Sequence, residues 1–142
     1  MPAKSFHLDI VTPERLLFSG ETTSVVAPGL SGYFGVMANH QPMIAALSPG
    51  VLRVEEAIGG QTVMAISGGF FEVSNNRAIV LADTAELARE IDVSRARQAM
   101  QRAKDRLMGR SKAEEKIDTD RARAAFLRAA ARLKAAGKIK DQ

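Results

Sequence analysis

Residues 78–107 read AIVLADTAELAREIDVSRARQAMQRAKDRL, and the apolar period changes inside this stretch. Ala78 to Leu81 is a short apolar run that follows the turn-forming pair Asn75-Asn76. Beyond Asp83, Val93, Ala96, Met100, Ala103 and Leu107 recur at spacings of 3, 4, 3 and 4, one narrow stripe on a helix. The change of period divides the chain into two structural parts, a first over residues 1–85 and a second over residues 86–142.

Toward the N-terminus everything is short and punctuated. Phe6 to Thr12 alternates and stops at Pro13; Leu16 to Phe18 runs into Ser19-Gly20; Thr22 to Ala27 ends at Pro28-Gly29. Gly32 to Val36 leads into the polar loop Asn39-His40-Gln41-Pro42, and Val51–Val54, Thr62–Ile66 and Phe70–Val73 continue the series. Gly59-Gly60 and Asn75-Asn76 stand where hairpin turns need residues that tolerate positive φ. Many short strands with regular turns predict an all-β, antiparallel sandwich or barrel. Gly68-Gly69 lacks the further glycines and following helix of a phosphate cradle and reads as a tight strand corner.

Toward the C-terminus a second stripe appears, Ala122, Phe126, Ala129, Leu133 and Ala136. Between the stripes, Gly109 to Asp118 is polar and suits a connection, so the second part is an α-helical antiparallel hairpin. Both stripes are rich in alanine. Alanine lets helix axes approach closely but buries little area, and at about 25 cal/mol per Å² such a seam holds weakly. The hairpin is therefore expected to be able to leave its partner.

Composition closes several doors. Cysteine is absent, which removes disulfides, thiolate metal sites and a cysteine nucleophile. Only two histidines occur, in different segments, so a histidine metal site is not expected. No nucleophile–base pair stands at a recognisable spacing, and no enzyme activity is expected of the isolated chain. No apolar run approaches the roughly 18 residues of a membrane span, and the first residues lack the features of a secretory signal. Charge is uneven: residues 1–82 carry four basic and six acidic side chains, residues 83–142 sixteen and ten. A basic tail calls for an anionic partner. Nucleic acid is one candidate, but tryptophan is absent and aromatics are 5%, which gives no base-stacking platform.

Five segments, in order, carry a family resemblance. Gly32-Tyr33-Phe34-Gly35-Val36 with Asn39-His40-Gln41-Pro42, Ser48 to Val54, Ser67-Gly68-Gly69-Phe70-Phe71-Glu72-Val73, Val80-Leu81-Ala82-Asp83-Thr84-Ala85-Glu86 and Ile91-Asp92-Val93-Ser94-Arg95-Ala96 are similar to the motifs of ATP synthase epsilon subunits. The resemblance covers nearly the whole chain. It implies an antiparallel ten-stranded β-sandwich that binds the gamma subunit and the c-ring, followed by a two-helix regulatory hairpin. The implied function is that of a non-catalytic rotor subunit, peripheral at the cytoplasmic face of a bacterial inner membrane, coupling the catalytic head to the proton rotor. A mainly structural coupling role with little inhibition is the alternative within the family.

The same resemblance assigns roles to residues. His40 and Tyr33 fall in the segment that meets gamma and the c-ring; for His40 an equal reading is loop ordering, and Tyr33 stands where relatives often carry an acid. Asp92 reads as a helix N-cap, about 1 kcal/mol. In the ATP-binding relatives it also joins Glu86, Arg95, Arg128 and Arg132 in a regulatory ATP site, although no cofactor is required. Arg128 and Arg132 lie four apart and point the same way on a helix. Arg121, Arg123, Arg128 and Arg132 lie on the basic face that the resemblance sets against an acidic segment of the beta subunit, blocking ATP hydrolysis.

Overall fold

The computed structural model describes residues 4–109 and 118–140 of the chain. The expected connection between the helices, residues 110–117, lies outside the described residues. Nine strands precede two helices: β1 Phe6–Val11, β2 Leu16–Gly29, β3 Gly32–Met37, β4 Met43–Leu47, β5 Gly50–Glu56, β6 Gln61–Ile66, β7 Gly69–Ser74, β8 Arg77–Ala82 and β9 Ala85–Leu87. A 3-10 turn, Ala88–Glu90, leads into α1 Val93–Leu107 and α2 Thr119–Ala135.

The strands run in the order β1-β8-β7-β4-β2-β5-β6-β9, with β3 paired to β2. The long β2 bends the sheet back on itself. Its first half pairs with β1 (Leu8 opposite Gly20), and its second half lies between β3 and β5, Val25 opposite both Val36 and Val54. One strand thus serves both layers, with a register shift at Thr22–Ser24 where it changes partners. Ser19-Gly20, expected to end a strand, is a passage inside β2. Nine strands replace the expected ten among the described residues, and the pairing is not wholly antiparallel, because β1 runs parallel to β8.

The core follows from the alternation read in the sequence. Phe6, Leu8 and Ile10 of β1 point inward with Val25, Val36, Leu52, Val54, Met64, Phe71 and Val80. The Phe34 and Phe71 rings meet edge to face across the layers, centroids 5.3 Å apart. Positive φ occurs at Gly59-Gly60 and Asn75-Asn76, where the hairpin turns require it. Gly68-Gly69 is a strand corner, with φ of +130° and +138°.

Both helices open on an aspartate whose side chain accepts a backbone N–H, Asp92 from Arg95 at 3.0 Å and Asp118 from Arg121 at 3.1 Å. The predicted stripe of α1 buries Ala96 and Ala103. In α2, Ala122, Ala129 and Leu133 are buried as expected, but so are Ala130 and Ala131. The cause is position. α2 lies between α1 and the sandwich, packing on β5 and β6, so it buries two faces. A small cluster of Ala65, Ile91 and Ala131, flanked by Ala135 and Ala136, joins hairpin to sandwich.

On the outer side of β1 sits Asp9, accepting from His7 Nε2 at 3.0 Å. A hydrogen bond from Ser19 chiefly holds its carboxyl below the usual range, against the opposing effect of burial and with smaller help from the bond and charge of His7 and the charge of Arg77. A depressed folded value means that the stabilisation is complete above the unfolded value, about 3.9, and is lost as pH falls through the folded one. Asp9→Asn is thus expected to be less stable than the parent at pH 7. The gap in urea midpoints between them should narrow as pH falls below that unfolded value; a gap that stays constant down into the acid range would contradict the assignment.

Candidate functional site

The junction between sandwich and hairpin builds a charged cleft of about 520 Å³. β9 supplies Glu86, placed opposite Ala65 of β6 by strand pairing. The 3-10 turn supplies Glu90, and the cap of α1 supplies Asp92. α1 supplies Arg95 and Arg102, seven residues apart and so on one helical face. α2 supplies Arg132, whose Nε donates to Glu86 Oε1 at 2.5 Å. Three carboxylates and three guanidiniums therefore face one space, with only small side chains, Ala96 and Ala99, between them.

Chemically the cleft is suited to a ligand that carries both an anion and hydrogen-bonding groups. Guanidinium forks hold phosphate oxygens by charge-assisted bonds, and carboxylates accept from amino or hydroxyl groups. Glu86, Asp92, Arg95 and Arg132 come together here. Arg128 does not line this cleft; it faces a small neighbouring notch with Ser67, Thr84, Glu86 and Arg132. Arg102 was missed in the sequence, although its seven-residue offset from Arg95 on a helical face was the available signal.

Other singled-out residues occupy quieter positions. Tyr33 accepts the Val51 N–H on its hydroxyl at 3.1 Å, tying β3 to the start of β5. His40 donates from Nδ1 to the carbonyl of the adjacent Gln41 at 2.7 Å. Arg121 and Arg123 are exposed in the first turns of α2. Ser19, His7 and Asp9 look triad-like by type but not by geometry. Both Asp9 and Ser19 approach the same nitrogen, Nε2 of His7, so the ring does not stand between them as a base. No group of three or more metal-ligating side chains occurs among the described residues.

A second surface was not visible in the sequence. On the outer face of β4, β7 and β8, Ile44, Phe70 and Leu81 are 72%, 57% and 50% exposed. Phe70 stands directly opposite Leu81 and Ala46, and Ile44 lies in the next row, opposite Glu72. Together the three leave exposed apolar side chains on one outer face of the sheet.

Comparison with known proteins agrees across both halves. Residues 5–88 match the family described as ATP synthase, Delta/Epsilon chain, beta-sandwich domain. Residues 89–137 match its long alpha-helix domain. The ATP synthase epsilon chain of Syntrophomonas wolfei is 51% identical over 111 residues, 78% of this chain and 81% of that one. That of Desulforamulus reducens is 54% identical over 106 residues, 74% and 79% of the two. A chain in the mitochondrial ATP synthase of Euglena gracilis shares the fold, with a TM-score of 0.68 at 22% identity over 94% of this chain and 78% of that one. With a family match over each half and relatives at half identity along most of both lengths, this chain belongs to the ATP synthase delta/epsilon chain family.

Proposed function

We propose that this chain is the epsilon subunit of an ATP synthase, a non-catalytic central-stalk protein that couples the catalytic head to the proton rotor. The observation that carries the reading is the exposed apolar group Ile44, Phe70 and Leu81, on sheet surface that the hairpin does not cover. A rotor subunit needs a permanent docking face on its rigid domain, and the gamma subunit is the partner that this face fits; the c-ring is the second partner. The hairpin is the opposite kind of element. It is joined to the sandwich by an alanine cluster and by Glu86–Arg132, so it can detach and act as a brake. Its basic face, with Arg121 and Arg123 exposed, then meets an acidic segment of the beta subunit. ATP in the charged cleft bridges both helices and β9 and so keeps the hairpin folded, relieving the brake. No helix among the described residues is long and apolar enough to cross a membrane. The chain would sit at the cytoplasmic face of a bacterial inner membrane through the complex.

The test is ATP hydrolysis by catalytic head complex depleted of this subunit, titrated with the full chain or with residues 1–88. The shorter piece retains every residue of the main core, which ends at Ala82, with the strand Ala85–Leu87. The full chain is expected to inhibit, and residues 1–88 to bind without inhibiting. Phe70→Glu should weaken binding of both by about tenfold or more, the scale of an apolar anchor at an interface centre. If neither form binds, the assignment fails; binding without inhibition by either leaves the coupling role and removes the brake.

A further inference from the structure

Arg15, on the turn between β1 and β2, reaches Glu90 across 75 sequence positions, Nη2 to Oε2 at 3.4 Å. Its turn is well tied: the Thr12 N–H donates to the Arg15 carbonyl at 2.9 Å, and the Arg15 N–H donates to Thr12 Oγ1 at 3.3 Å. Glu90 is the opposite case. It ends a short 3-10 turn that buries none of its residues, where the Ile91 N–H donates to the Ala88 carbonyl at 3.3 Å. A side chain on so lightly held a segment takes its direction from its partner. Glu90 also lines the cleft that contains Arg95 and Arg102. Two kinds of cation therefore compete for one carboxylate: Arg15 outside, and the guanidiniums of the cleft inside.

We propose that Arg15 is a positioning residue for the cleft, drawing Glu90 to the rim so that Arg95 and Arg102 stay open to an anionic ligand. It touches no ligand itself and acts through Glu90 alone. Without it, Glu90 turns inward, pairs with a cleft arginine and opposes the phosphate groups of a nucleotide. The proposal rests on the nucleotide reading of the cleft given above. It adds that a turn of the sandwich, far from the hairpin in sequence, sets the affinity of the site.

Two measurements on the full chain decide it. Calorimetric titration with ATP compares the parent, Arg15→Ala, Glu90→Gln and the double variant. Arg15→Ala is expected to bind about two- to fivefold more weakly, the range open to an exposed ion pair. In the Glu90→Gln background, Arg15→Ala should change nothing further. A loss in Arg15→Ala that Glu90→Gln does not restore overturns the proposal, as does no loss at all. The second readout needs no ligand. The Nε–H resonances of Arg95 or Arg102 should shift in Arg15→Ala and return in the double variant. If the parent shows no heat with millimolar ATP while those resonances move, the nucleotide reading fails and the positioning of Glu90 stands. Static resonances overturn the role of Arg15 whatever the heats show.

Discussion

Phe71→Ala is expected to lower the free energy of unfolding by about 3–5 kcal/mol, the cost of removing a fully buried aromatic side chain. Phe71 has no exposed surface and packs edge to face on Phe34 of the opposite layer. Truncation therefore loses transfer free energy, leaves a cavity, and removes an aromatic contact between the layers. The neighbouring Phe70→Ala supplies the contrast. Its ring faces outward and is more than half exposed, so its truncation should stay within about 1 kcal/mol. Urea unfolding followed by circular dichroism measures both. Equal midpoints for the two variants would refute the assigned directions of these adjacent rings. The same pair separates stability from assembly, because Phe70→Ala should weaken partner docking while Phe71→Ala at low temperature should not.

Gly69→Ala should be at least as damaging, with a loss of about 3 kcal/mol or more and a lower yield of soluble protein. A Cβ at Gly69 would lie 2.1 Å from the Leu81 carbonyl oxygen and 2.9 Å from the Ala82 Cα. Both neighbours are backbone of the paired strand β8, so neither can swing aside as a side chain would. The φ of +138° adds a conformational cost that any L side chain meets. Gly60→Ala separates the two contributions. Gly60 has φ of +97°, but an added Cβ there would meet nothing within 4 Å. Only the conformational cost of about 1–2 kcal/mol therefore applies. A Gly69→Ala protein as stable as Gly60→Ala would show that β7 and β8 do not approach this closely at the corner. The consequence reaches function, since displacing β7 against β8 breaks the alignment of Phe70 with Leu81 on the outer face.

The period change near Asp83, the hairpin turns at Gly59-Gly60 and Asn75-Asn76, the Asp92 cap and the alanine seam were all legible in the sequence. Each is a local property, fixed by spacing within one element or by the φ that a turn demands. The five quoted segments were equally legible as a family pattern. Other features belong to pairs of elements. That β2 is one strand serving two layers depends on which partners reach its two halves, so Ser19-Gly20 gave the wrong boundary. That α2 buries two alanine faces depends on its place between α1 and the sandwich. Phe70 and Phe71 are alike in type, and only the register of β7 against β4 and β8 decides which is core and which is surface. The charged cleft follows the same rule. Glu86, Arg95, Arg102 and Arg132 come from three elements, and Arg15 meets Glu90 from a fourth. The sequence determined which residues share a face of each element; the tertiary structure decided which faces are covered, because burial is settled by contacts between segments remote along the chain.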